Sequence, residues 1–205
     1  MSTKTRVEMV AETRSKLISA GRKAFAEKGY ASASMDDLTA DVGLTRGALY
    51  HNFGDKRGLL AAVVDQIDTA MAEQARQAGL EVGSGWDGLV AEGIAYIKMA
   101  LKPEVQRIVL LDGPAVLGDP SQWPSQGRCL QATISTLERL SEDGQIKPVD
   151  IEAVARLING IALNAALWVA ASEKPQSTLP KAVAAFECLA SGALSTPRLE
   201  GKVEA

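Results

Sequence analysis

Apolar residues along this chain return at intervals of three and four, and no stretch shows the strand pattern of strict alternation, so the periodicity predicts helices throughout. Leu38 and Val42 share one face of a short helix starting at about Met35. Leu49 and Phe53 share one face of a second, from Thr45 to about Asn52 or Phe53. A long helix from Lys56 to about Gly79 is followed by the breakers Gly83, Ser84 and Gly85. Leu89, Val90, Ile94, Ile97 and Leu101 mark a helix over 86–101 that stops before Pro103, and Pro103 suits the first turn of another through about Leu111. The stretch 112–124 is interrupted by Gly and Pro. Helices are then expected over 125–142, ended by Asp143-Gly144, over 149–171 with a cap near Pro148, and over 177–194. No internal repeat is present.

The densest punctuation lies in SMDDLTADVGLTRGALYHNFGDK, residues 34–56. Ser34 is placed to cap the first free amides, with Asp37 in the first turn, while Asp36, Asp37 and Asp41 take the wet face. Gly43 supplies the left-handed residue that ends this helix, and Thr45 caps the next. Arg46, Gly47, Tyr50 and His51 face away from Leu49 and Phe53, with Ala48 at the border. Having no side chain, Gly47 lets a phosphate or base edge come close near the helix N-terminus, where free amides attract anions. Thr45, Tyr50 and His51 each offer a donor to phosphate, and Arg46 can reach a base edge or the backbone. Asp55 caps the following helix. Lys56 in its first turn opposes the helix dipole unless an anion such as a phosphate sits beside it. Two capped helices about a glycine turn, with a small and donor-rich outer face, suit entry into a DNA groove.

These residues resemble the tetracycline-repressor (TetR) family of one-component transcriptional regulators. The resemblance runs over about residues 12–60, through Leu17, Ala20, Phe25, Gly29 and Tyr30, then Leu38, Gly43, Leu44, Gly47, Leu49, Tyr50, Phe53, Lys56, Leu59 and Leu60. Its most specific part is the Tyr-x-x-Phe-x-x-Lys string after the glycine turn. The segment RIVLLDGPAVLGDPSQW, residues 107–123, also resembles a stretch in the ligand-binding domains of some members. The resemblance implies an all-α chain: a three-helix helix-turn-helix head over 1–56, with its recognition helix at about 45–52, and a helical ligand-binding and dimerisation body over 57–205. It implies phosphate contacts from Thr45, Tyr50, His51 and Lys56, a base-facing group of Arg46, Gly47 and Ala48, and backbone contacts from Ser34 and Met35.

Composition changes this picture little. With 205 residues, 46% of them hydrophobic, the chain can bury a core as one domain or two small ones. A net charge of −3 would by itself argue against a nucleic-acid binder, but the charge is unevenly spread. Residues 1–58 hold ten Lys and Arg against seven Asp and Glu, or +3, leaving twelve against eighteen, or −6. Cys129 and Cys188 form no metal or disulfide pattern and read as inert thiols. The Lys4-Thr5-Arg6 group reads as a solvated tail. No stretch is expected to span a membrane, which leads to a cytoplasmic protein. With one histidine, no Cys/His cluster, no Gly-x-Ser-x-Gly and no phosphate-binding or dinucleotide fingerprint, neither an enzyme, a metal site nor a cofactor is expected.

The helix from Val149 is apolar nearly all round. Ile151, Val154, Ile158, Ile161 and Ala165 form one stripe, and the last helix offers Val183, Phe186 and Ala190. Two such helices from each of two subunits would make a four-helix homodimer interface, the pairing that the resemblance also implies. Tyr96, Met99, Ile108, Leu111, Trp123 and Trp168 are candidate walls of an effector pocket, with Asp112, Asn159, Asn164 and Gln131 as candidate orienting groups. Asp112 before Gly113-Pro114 equally suits a turn or cap. The leading expectation is a dimeric, ligand-responsive regulator, a repressor, that reads a near-palindromic double-stranded operator and is released when an unidentified apolar effector alters the spacing of its heads. The alternatives are a dimeric DNA-binding or protein-interaction module without an effector, and a helical sensor without DNA affinity.

Overall fold

The structure is a computed structural model that describes residues 5–40 and 42–195. Its helices are α1 (Arg6–Ser32), α2 (Met35–Ala40), α3 (Arg46–Phe53), α4 (Lys56–Val82), α5 (Trp86–Lys98), a 3-10 turn at Met99–Leu101, a π-helix at Val105–Asp112, α6 (Gly113–Leu117), a 3-10 turn at Pro120–Gln122, α7 (Pro124–Glu142), α8 (Ile151–Ala171) and α9 (Pro175–Ser191). Among the described residues there is no strand, only an isolated antiparallel bridge between Ile146 and Leu194. The all-helical expectation stands. The chain divides into two compact units, one of residues up to Ala70 with Lys102–Trp123, the other of Met71–Leu101 with the residues from Pro124 onward.

The first unit is built around Leu17 and Phe25 of α1, Leu38 of α2, Leu49 of α3 and Leu59, Leu60 and Val63 of α4, all fully buried. Gly21 lets α4 approach, since a Cβ there would lie 3.1 Å from Leu59 Cδ2. Near its end α1 kinks at Gly29, whose φ of 75° only glycine adopts without strain. The Arg107 guanidinium lies against this glycine, where a Cβ would meet Nη2 at 1.9 Å. Asp112 closes the same corner: its carboxylate accepts from the Tyr30 amide at 2.8 Å and lies 3.4 Å from Arg107 Nε. Arg22 grips Glu104 with two bonds of 2.5 and 2.6 Å, and Arg57 Nε donates to the Val116 carbonyl at 3.2 Å. The segment 102–123 thus satisfies polar groups of α1 and α4 over most of its length.

The second unit packs α8 against α9, α5 and α7. Ala155, Ala162, Ala165, Ala166 and Ala170 are buried on α8, so its neighbours can come close on several sides. Contrary to the sequence expectation, Ile151–Ala171 does reach the length and apolarity of a membrane span; it packs against α5, α7 and α9 and also carries the exposed apolar groups Leu157 and Trp168. Gly93 of α5 receives the Phe186 ring of α9 end-on.

Other boundaries moved for local reasons. Thr5 and Arg6 belong to an ordered helix start rather than a tail, because Thr5 and Glu8 form a reciprocal capping box. The start of α8 is set by Asp150, two residues past Pro148, which accepts from the Ala153 amide at 2.8 Å. The stretch 112–124 contains α6, with Pro114 in its first turn. Lys4, Asp41 and the Asp37 side chain, to which the sequence reading gave roles, lie outside the described residues.

Candidate nucleic-acid interface and effector cavity

The turn between α2 and α3 forms as its residues dictate. Gly43 has φ of 64°, and the Gly43 and Leu44 amides donate to the Ala40 and Thr39 carbonyls at 3.1 and 3.0 Å, closing α2 with two bonds. The Thr45 hydroxyl accepts from the Ala48 amide at 3.2 Å and starts α3. Asp55 accepts from the Gly58 amide at 2.7 Å and starts α4.

Leu49 anchors α3 to the core, and Thr45, Arg46, Gly47, Tyr50 and His51 are exposed together on the other side, with Ala48 half-buried at the border. Ser34 is exposed and Met35 half-exposed at the start of α2. The space around Gly47 is open; a Cβ there would meet only Thr45 Oγ1, at 3.6 Å. A helix end studded with donors and lacking a side chain at its centre can lie flat against a polyanion.

Two cations of this group already have protein partners. Arg46 makes a bidentate pair with Asp36 across the turn, its Nε donating to Oδ1 at 2.6 Å. Lys56 Nζ lies 3.4 Å from the Ala31 carbonyl and 4.5 Å over the Tyr30 ring, so the last turn of α1 supplies the negative partner that a lysine at a helix start needs. Arg14 donates to the Asn52 carbonyl at 3.0 Å and lies over the Phe53 ring at 4.4 Å, bracing the C-terminal end of α3. Sequence reasoning missed Arg14 and the pairing of Asp36, since neither contact has a local signature.

The Arg46–Asp36 pair yields a test. Asp36→Ala removes one negative charge and releases one positive, so DNA affinity should rise across sequences and the salt slope steepen by about one to two units. Arg46→Ala should change preference at one base position by about tenfold or more. A uniform loss across a panel of duplexes, read by anisotropy titration, would make Arg46 a backbone contact or a brace.

The second unit contains a cavity of about 50 Å³ between α4, α5, α7 and α8. Ala72, Ala75, Leu89, Ile158 and Ala162 form its apolar wall. Its polar side carries Glu92, Tyr96, Gln126, Thr133 and Asn159. Gln126 donates to the Tyr96 hydroxyl at 3.3 Å. Burial pushes the Glu92 carboxyl above the ordinary glutamate range, with Arg76 opposing the shift and Glu73 adding to it. A carboxyl raised in the folded state gives stability that is complete at pH below its unfolded value, about 4.3, and is lost as pH rises through the folded one. Glu92→Gln should therefore match the wild type in thermal melts at acid pH and exceed it at neutral pH; equal melting at both would remove the burial argument.

Of the residues considered for an effector site, Tyr96 and Asn159 line this cavity. Met99 is buried elsewhere in the second unit, Gln131 is exposed, and Ile108, Leu111, Asp112 and Trp123 belong to the first unit. Asn164 and Trp168 lie in a separate apolar groove along α8 and α9, with Ile161, Ala165, Phe186 and the exposed Leu157 and Leu189. Of the interface candidates, Ile158 is buried in the cavity wall and Ala190 in the core, while Ile151, Val154 and Val183 are partly exposed. Glu92 was missed, although Leu89, Glu92, Gly93 and Tyr96 share one helical face, and a lone carboxylate on an apolar stripe is a readable signal.

Comparison with known proteins places both parts. Residues 17–63 match the model for bacterial regulatory proteins of the tetR family, and residues 86–193 match the tetracyclin repressor-like C-terminal domain. A crystal structure of a TetR-family transcriptional regulator from Pectobacterium atrosepticum is 46% identical, covers 95% of this chain and 100% of its own, and superposes with a TM-score of 0.85. The HTH-type transcriptional repressor AcnR of Corynebacterium jeikeium is 30% identical over 151 residues, 73% of this chain and 77% of its own. The Transposon Tn10 TetC protein of Escherichia coli is 23% identical over 152 residues, 74% of this chain and 77% of its own. The chain belongs to the TetR family of bacterial transcriptional regulators, whose members bind DNA through a helix-turn-helix and are not enzymes.

Proposed function

We propose that this protein is a homodimeric repressor that reads a near-palindromic operator with two copies of α3 and releases it on binding a small molecule in the second unit. The exposed face of α3, with open space at Gly47 among the donors of Thr45, Tyr50 and His51, is the observation that carries this reading. Arg46, Gly47 and Ala48 are assigned to base edges, Thr45, Tyr50, His51 and Lys56 to phosphates, and Ser34 and Met35 to the backbone of the same groove. All of these lie within residues 1–56, the proposed DNA-binding division, and residues 57–205 are assigned to the effector and the dimer. Relatives such as AcnR are transcriptional repressors by name, which favours repression over activation here.

The apolar groove along α8 and α9 supports the dimer. Leu157, Trp168 and Leu189 are 67%, 50% and 61% exposed, a stripe of large apolar groups that a partner's copy of the same stripe would cover in twofold symmetry. Effector and operator then oppose each other through one coupling free energy, so DNA must weaken effector binding by the same factor by which effector weakens DNA binding.

Selection from a random duplex pool tests this proposal directly. The expected product is a pair of inverted half-sites bound by two chains, with binding lost in Trp168→Glu through dissociation to monomers. Recovery of a single unpaired site bound by a monomer would overturn the dimeric reading, and no enrichment at all would overturn operator recognition.

A further inference from the structure

Two polar groups of the cavity in the second unit have no partner. Glu92 makes no hydrogen bond or ion pair among the described residues, and the nearby Arg76 is committed to Glu73 by bonds of 2.7 and 3.2 Å. The Asn159 amide is the second. Thr133 Oγ1 lies 3.0 Å from both the Cys129 carbonyl and Asn159 Oδ1, and it has one proton to give. If that proton goes to Asn159, the buried Nδ2 has no acceptor. If it goes to Cys129, the amide turns, Nδ2 donates to the Thr133 hydroxyl, and Oδ1 becomes the unpaired end. Either way one end of this amide is buried without a partner, a state that proteins rarely leave unfilled.

The chemistry of the missing partner follows from these two groups. Among the described residues Glu92 is the only charged side chain lining the cavity, and when ionised it accepts only. The Asn159 amide can turn to present its oxygen, giving a second acceptor against the apolar wall of Ala72, Ala75, Leu89 and Ile158. An ammonium has donors and no acceptor, so it satisfies both at once, whereas a carboxylate ligand would face Glu92 as a like charge. We propose that the cavity selects a compact apolar molecule carrying one protonated amine, held by the Glu92 carboxylate with the Asn159 amide as its second anchor. This rests on the reading of the second unit as the effector-binding part.

Hexylamine, hexan-1-ol and hexanoate, three probes with the same hydrocarbon chain, separate the possibilities on the full-length protein. Hexylamine should raise the melting temperature and titrate calorimetrically, hexan-1-ol should bind more weakly, and hexanoate should not bind. In Glu92→Gln, hexylamine should bind about tenfold or more weakly, with hexan-1-ol unchanged within about twofold. Hexanoate binding as well as hexylamine, an unchanged amine affinity in Glu92→Gln, or no binding by any of the three would each overturn the proposal. Operator release by some other compound while hexylamine stays inert sinks the amine assignment and leaves ligand response standing. Amine binding that depends on Glu92, with no compound releasing operator DNA, does the reverse.

Discussion

Gly47→Val is expected to lower operator affinity by about a hundredfold or more while leaving the melting temperature at or above that of the wild type. Among the described residues, only Thr45 Oγ1 comes within 4 Å of a Cβ placed there, at 3.6 Å, so a side chain enters open space. Valine also has the better intrinsic helix preference, and Gly47 has no positive φ to lose. The branched methyls would instead stand between the first turn of α3 and the groove, moving the donors of Thr45 and the free amides away from phosphate. Anisotropy titrations at several salt concentrations, beside circular-dichroism melts, measure both quantities. Wild-type affinity in this variant would show that α3 does not approach DNA along this face.

Gly93→Ala is expected to have the largest effect on stability, about 1–3 kcal/mol, or roughly 2–12 °C in melting temperature. A Cβ at Gly93 would fall 2.3 Å from Phe186 Cζ and 2.7 Å from Cε1, and Phe186 is buried on all sides, so the ring has nowhere to swing. The added methyl also presses on the cavity wall, because Gly93 lines it. Gly93→Ala with Phe186→Leu should lose less than the two single changes combined, since the smaller side chain vacates the contested space. Additive losses would mean that α5 and α9 shift apart instead. Gly29→Ala places a Cβ still closer to Arg107, at 1.9 Å from Nη2, but there the obstacle is the end of a flexible side chain, so its main penalty is the left-handed backbone angle.

The local half of this structure was legible in the sequence. Thr45, Asp55 and Gly43 act within a few residues of themselves, through caps and a left-handed turn, and such signals survive without knowledge of the fold. The α8 and α9 stripes were legible by period, but period does not say which side of an apolar helix is covered. Ile158 and Phe186 face inward, whereas Leu157 and Leu189, which stand outside the expected stripes, are exposed beside Trp168. What remained hidden was long-range. Asp112 answers the Tyr30 amide 82 residues away, and Lys56 answers Ala31 and the Tyr30 ring, so both groups are satisfied by partners that no spacing rule reaches. The π-helix at Val105–Asp112 was equally invisible, because eight residues of widened helix are too few to change the apolar pattern.

The order in which the chain is made gives the segment 102–123 a further meaning. By the time Ala70 has left the ribosome, α1, α2 and α3 are complete, yet Arg22 still lacks Glu104, the Tyr30 amide lacks Asp112, and the Arg57 guanidinium lacks the carbonyls of Val116 and Leu117. Those partners, at positions 104–117, emerge only after all of α5. A nascent chain therefore holds a DNA-reading surface whose intramolecular support is completed only when synthesis passes Trp123. Transplanting residues 1–56 onto a different body would leave Arg22 and the Tyr30 amide unanswered, so exchange of DNA specificity with a relative should succeed more often when 102–123 travels with the N-terminal part.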